Sequence, residues 1–166
     1  LSIILGLGLI RFFKFPCSPL VSVVELSLRV LDLVRRPPVT VGVGVSVRDV
    51  VRVMYENSIG SIVIVDDVGR PIGIFTERDL LRLVAQGASL DSPVDTVMSR
   101  DLVVVKGVEG VVRAAMLMSE HRIRHLPVVD DEGKLVGVIS VRDVVDALRG
   151  ILAVRAAEGE LSLFTA

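Results

Sequence analysis

The chain alternates between two kinds of apolar spacing. SIVIV (61–65) is an unbroken β-branched run, the pattern of a strand buried on both faces. DVGRP follows as a turn in which Gly69 can take positive φ, and PIGIF (71–75) returns as a second strand, so the two make a hairpin. On either side the spacing lengthens. SVRDVVRVMYENS carries Val47, Val50, Val51 and Met54 at helical intervals, with Ser46 as N-cap and Asp49 three residues on. TERDLLRLVAQG sets Leu80, Leu81 and Val84 on one predicted helical face, and Gly87 marks its end. With the short apolar stretch PVTVGV in front, the order is strand, helix, strand, strand, helix.

That order occurs twice. Residues 39–84 lie over 103–148 at a constant offset of 64, without a gap. Val39, Val41, Val47, Met54, Glu56, Ile59, Val65, Asp66, Asp67, Gly69, Gly73, Arg78 and Asp79 all meet identical residues, and most other pairs exchange one aliphatic for another. Two copies are too few for a solenoid and suit a pseudo-twofold pair. The expected fold class is α+β, two pseudo-twofold related β-α-β-β-α units. The first unit is read as 21–87, led in by a helix over VSVVELSLRVLDLVRR. Residues 88–101 are a connector whose PVDTVM portion makes a short helical turn. The second unit is 102–149, and 150–166 is a tail. Residues 1–20 are read as an apolar extension outside the core. Their apolar run is about half of the roughly 20 residues that a bilayer span needs, which leaves membrane contact as a minority alternative.

Composition narrows the function classes. The 166 residues are 51% hydrophobic and only 4% aromatic, enough for a sizeable aliphatic core. A net charge of −1 offers no basic excess for nucleic acid. The single cysteine, Cys17, can make neither an internal disulfide nor a zinc site, and two histidines, His121 and His125, are too few for a metal cluster. The paired aspartates Asp66–Asp67 and Asp130–Asp131 precede glycine turns and are read as turn chemistry. No Walker loop, dinucleotide glycine fingerprint or supported catalytic triad is present. No enzyme is expected, and no cofactor is required.

The candidate chemistry lies in a phrase written twice, GIFTERD (73–79) and GVISVRD (137–143). Thr76-x-x-Asp79 and Ser140-x-x-Asp143 are capping boxes in form. A third box, Ser46-x-x-Asp49, drifts to Gly110 and Arg113 in the second copy, whereas this one is kept. It stands where a strand feeds a helix N-terminus, a place that suits an anion, and Gly73 and Gly137 precede it by three residues. The glycine is read as room for close approach by a backbone or a flat ring. A first-turn carboxylate can accept from a ribose diol.

PVTV, SIVIVDDVGRPIGIFTERDLLR and HRIRHLPVVDDEGKLVGVISVRDVV, in this order and on the 64-residue repeat, resemble the CBS domain. The whole resembles a tandem CBS pair, or Bateman module, over about residues 32–149. The resemblance implies ligand sites in clefts between the units, further pairing into a disc-shaped homodimer, and adenosyl ligands: AMP, ADP, ATP or S-adenosylmethionine. By that resemblance Asp79 and Asp143 take ribose hydroxyls, with Thr76 and Ser140 beside them. Thr40 borders sugar or base, and Arg124 and His125 are basic groups near phosphate. Arg124 and His125 are expected to reach the Asp79 cleft, making it the phosphate-preferring one, while the Asp143 cleft takes a less charged ligand or none. The resulting expectation is a non-catalytic, cytoplasmic regulatory module acting on a separate effector protein. The alternatives are a structural dimerisation module without ligand, a membrane-associated transporter regulator, and a fragment of an enzyme that carries such a pair.

Overall fold

The computed structural model describes residues 28–157, with side chains through residue 153. The expectations for 1–20, for the first residues of the lead-in and for the end of the tail lie outside the described residues. Two units of equal plan follow one another. In the first, β1 (Thr40–Val41), α1 (Val47–Glu56), β2 (Ser61–Val65), β3 (Pro71–Thr76) and α2 (Glu77–Ala85) take the predicted order. In the second, β4 (Val105–Lys106), α3 (Val111–His121), β5 (His125–Val129), β6 (Leu135–Ser140) and α4 (Val141–Ala157) repeat it. Each unit holds one three-stranded sheet with its middle strand paired parallel to the first and antiparallel to the third. The fold is α+β, as the spacing implied.

Local chemistry explains the elements. The Ser46 hydroxyl accepts from the Asp49 N–H and starts α1, which buries Val47, Val50 and Met54. The hairpin turns use Gly69 at φ 84° and its repeat mate Gly133 at φ 80°, a region a side chain would strain. Ile62 and Ile64 of β2 face the first core, and the opposite face, with Val63, is buried too. This accounts for the unbroken apolar run. One helical face differs from the reading. On α2 the core takes Leu83 and part of Leu80, while Leu81 and Val84 stand exposed. The four apolar residues form two adjacent stripes, and periodicity alone does not choose between them. The last helix continues through Gly150 to Ala157, past the expected boundary at 149.

The lead-in holds the main departure. Its described part is no α-helix but a four-residue 3-10 turn, Val30–Leu33. Nor does it pack on the unit that follows it. Val30 and Leu33 are buried in the core of the second unit, among Val105, Val111, Leu126 and Ile139. Val30 N–H donates to Glu109 O at 2.8 Å, and Val111 N–H donates back to Leu28 O at 3.2 Å. The connector makes the same bonds one repeat later and to the other unit. Val94 N–H donates to Val45 O at 2.8 Å, and Val47 N–H to Ser92 O at 3.0 Å. Val94 and Met98 fill the first core, with Val94–Thr96 forming the expected short helical turn. The first unit is therefore contiguous. The second is completed by residues that precede the first.

This packing gives Gly73 and Gly137 a different reason from the one expected. A Cβ on Gly73 would overlap the Met98 side chain, and a Cβ on Gly137 would lie 2.5 Å from Val34 Cγ1. The room is used by the exchanged segments, not by a ring. We expect Gly137→Ala to destabilise the protein by about 1–3 kcal/mol through overpacking. The penalty should shrink in a Val34→Ala background. Urea unfolding of the four proteins of that double-mutant cycle checks this, and equal penalties in both backgrounds would refute it.

Candidate functional site

Both hydroxyl-x-x-aspartate motifs are capping boxes in fact. Asp79 Oδ2 accepts from Thr76 N–H at 3.0 Å and from its hydroxyl at 2.7 Å. Asp143 Oδ2 accepts from Ser140 N–H at 2.8 Å and from its hydroxyl at 2.6 Å. In each, one carboxylate oxygen is consumed by the cap. The other differs between copies. Asp79 Oδ1 pairs with Arg82 at 3.2 Å. The mate of Arg82 is Asp146, which cannot pair, and Asp143 enters no ion pair among the described residues. Asp143 therefore keeps an oxygen free for a donor.

Each box opens on a cleft made jointly by the two units. The larger, about 810 Å³, takes residues 138–143 from the second unit and the stretches 35–39 and 58–61 from the first. The smaller, about 230 Å³, is its pseudo-twofold counterpart, with Ile74, Thr76, Arg78 and Asp79 facing residues 101–103 and 122–125. Six of the seven residues singled out in the sequence line these clefts. Ser140 and Asp143 line the larger, Thr76 and Asp79 the smaller, and Arg124 and His125 both. Thr40 lines neither. Val39, just before β1, borders the larger cleft, and its repeat mate Val103 the smaller.

Charge is distributed otherwise than expected. The larger cleft carries Arg35, Arg36, Arg124 and Arg142 against Glu77 and Asp143. The smaller has Arg78, Arg122 and Arg124 against Asp79 and Asp101. The Asp143 cleft thus has both the space and the greater cationic excess. The sequence reading missed Arg35 and Arg36 because they stand just before Pro37–Pro38, beyond the repeat's identities. Arg36 Nη1 donates to Asn57 O at 3.3 Å, which holds it at the cleft rim by the end of α1. Ser58 and Arg122 are a second omission. They occupy equivalent positions at the rims, with φ of 52° and 53°. A non-glycine residue there costs on the order of 1–3 kcal/mol and commonly marks a functional position. The sequences ENSIG and EHRIR show no signal for it.

His125 is also not the cation that was expected. Burial holds its imidazole below the ordinary value of 6.5, and neighbouring Arg124 lowers it further. Glu77 and Asp143 oppose this without reversing it. Near neutral pH the ring is neutral, a hydrogen-bonding group and not a counter-ion. Among the described residues no cluster of three or more potential metal ligands occurs.

The sequence matches the CBS domain family twice, over residues 30–86 and 94–150. The chain belongs to the CBS domain family. Its fold matches that of solved CBS pairs. The CBS domain protein PAE2072 from Pyrobaculum aerophilum, solved in complex with AMP, is 34% identical, with a TM-score of 0.69 over 74% of this chain and 99% of that one. The CBS pair of protein MJ0100, solved with 5′-methylthioadenosine and S-adenosyl-L-methionine, is 28% identical, with a TM-score of 0.68 over 74% and 97%. Protein MK0525 of Methanopyrus kandleri is 38% identical over 127 residues, 75% of this chain. The chain spans 61% of that relative's length. Among the described residues no helix is long and apolar enough to cross a membrane.

The lowered affinity of His125 for protons links stability to pH. Because the folded value lies below the unfolded one, the unfolded chain binds the extra proton. The contribution is present above about pH 6.5 and is lost as the pH falls from there through the folded value. His125→Gln should flatten the fall in unfolding midpoint between about pH 7.5 and 5.5. Parallel slopes for the two proteins would show that His125 does not carry it.

Proposed function

We propose that the CBS pair is a non-catalytic regulatory module that takes an adenosyl ligand between its units, with the Asp143 cleft as the stronger site. One observation carries this reading. The free oxygen of Asp143 stands in a cleft of about 810 Å³ that also holds four arginines. A ribose diol fits the carboxylate and the Ser140 hydroxyl, while phosphate fits Arg35, Arg36, Arg124 and Arg142. AMP in PAE2072, and methylthioadenosine with S-adenosylmethionine in MJ0100, support the ligand class. The arginines favour a phosphorylated member of it. The Asp79 cleft, smaller and with its carboxylate drawn to Arg82, is the weaker site. Thr40 drops out of the ligand set.

Control through such a site requires the ligand to bind two arrangements of the units unequally. The effector is a separate protein in a cytoplasmic setting on this reading. Self-association goes with it. Leu81 and Val84 on α2, Val112 and Met116 on α3, and Val145 and Leu152 on α4 are exposed apolar residues on helices. They favour a homodimer of twice 17.9 kDa.

A thermal-shift series with AMP, ADP, ATP and S-adenosylmethionine tests the ligand. At about 100 times its dissociation constant, a true ligand adds roughly 2.7 kcal/mol of stability. Asp143→Ala should cut that shift to what the weaker Asp79 cleft supplies at the same ligand concentration, while lowering the ligand-free stability only by a cap's worth, about 1 kcal/mol. No shift with any of the four would leave a dimerisation module as the account, and an undiminished shift in Asp143→Ala would make that motif a cap alone and move the ligand out of the Asp143 cleft.

A further inference from the structure

We propose that Arg124 is a single cation shared by the two clefts, so that a phosphate bound in one weakens phosphate binding in the other. This rests on the ligand reading above and adds a rule of occupancy to it. Arg124 and His125 are the two residues that line both clefts. The pseudo-twofold mate of Arg124 is Gly60, which has no side chain to offer. A symmetric pair would have two cations at this place, one for each cleft. This chain has one.

The backbone fixes where that cation starts. Val141 N–H donates to Arg124 O at 2.9 Å, and the mate bond runs from Glu77 N–H to Gly60 O at 3.1 Å. Each bond ties the start of a middle strand to the first residue of the helix that follows a capping box. Arg124 is thereby anchored beside the first turn of α4, in the larger cleft, while Arg122 and Ile123 just before it belong to the smaller. Its side chain is exposed and enters no ion pair among the described residues, so it is free to swing. Across from it, Glu77 approaches His125 over Gly60, with Oε2 3.2 Å and Cε1 3.4 Å from where a Cβ on Gly60 would lie. At the Gly60 position the nearest charge is thus the Glu77 carboxylate, not a second cation.

A guanidinium makes its two-pronged pair with one phosphate at a time. The first ligand to arrive takes Arg124. The second binds with the arginines peculiar to its own cleft. By linkage the weakening is the same in either order of filling. The pair then responds to its ligand over a wider span of concentration than two independent sites of the same intrinsic strengths.

The test is calorimetric titration of the full chain with AMP and, separately, with adenosine, which lacks the phosphate. Site-isolating backgrounds come from Asp79→Ala and Asp143→Ala. Arg124→Gln should weaken AMP about tenfold in both backgrounds, because either cleft alone can use the cation. With both clefts intact it should weaken only the first binding step, leave the second within about twofold, and leave adenosine unchanged. Should an alanine variant fail to fold, Asp79→Asn or Asp143→Asn isolates the site while keeping an acceptor for the cap. Sensitivity in one background only, or in both steps of the intact protein, overturns the sharing while leaving the ligand reading in place. Failure of the wild-type chain to bind either probe overturns both.

Discussion

Two short segments cross between the units, and the shape of both clefts depends on that exchange. Val30 and Leu33 complete the second core, and Val94 and Met98 complete the first. The segments are held by matching backbone bonds at equivalent positions, so the pseudo-twofold relation is enforced at the level of the main chain. Each then leads straight into a cleft wall. Residues 35–39 follow Val34, and residues 99–103 follow Met98. A cleft is therefore bounded by a stretch whose position is set in the opposite unit's core. Gly73 and Gly137 follow from the same constraint, since the exchanged side chains lie where their Cβ atoms would be.

Within this symmetric frame a few substitutions make the halves unequal. Asp146 in place of Arg82 releases a carboxylate oxygen on Asp143. Arg124 and His125 in place of Gly60 and Ser61 put side chains where the two clefts meet. One backbone bond between the units has no counterpart. Leu135 N–H donates to Gly69 O at 3.0 Å, and the mate position is Pro71, which has no N–H to give. The repeat supplies two sites of one design, and the differences decide how each is used.

What could be read in the sequence is what depends on near neighbours. The capping boxes, the glycine turns and the doubly buried strand all rest on contacts within a few residues or on simple alternation, and the structure has them. The exchange does not show, because Val30 and Val94 look alike to any local rule and only tertiary packing assigns them to opposite cores. The same limit explains Thr40 against Val39, where a strand of two residues carries too little alternation to fix its face. Arg35 and Arg36 reach the site by a backbone path that runs through Pro37–Pro38, and Ser58 and Arg122 by a left-handed conformation at a helix end. Neither route leaves a compositional mark.

The discontinuous second unit has a consequence during synthesis. Residues 39–98 contain everything the first core needs, so that unit is ready to form as soon as it leaves the ribosome. Val30 and Leu33 emerge earlier still, yet their partners Val105, Leu126 and Ile139 appear last. At about 5–20 residues per second, the gap of roughly a hundred residues is a wait on the order of ten seconds. Throughout it, an apolar segment hangs unpaired beside a finished neighbour. The nascent chain is thus exposed to mispairing and to chaperones at Val30–Leu33 for the length of that wait.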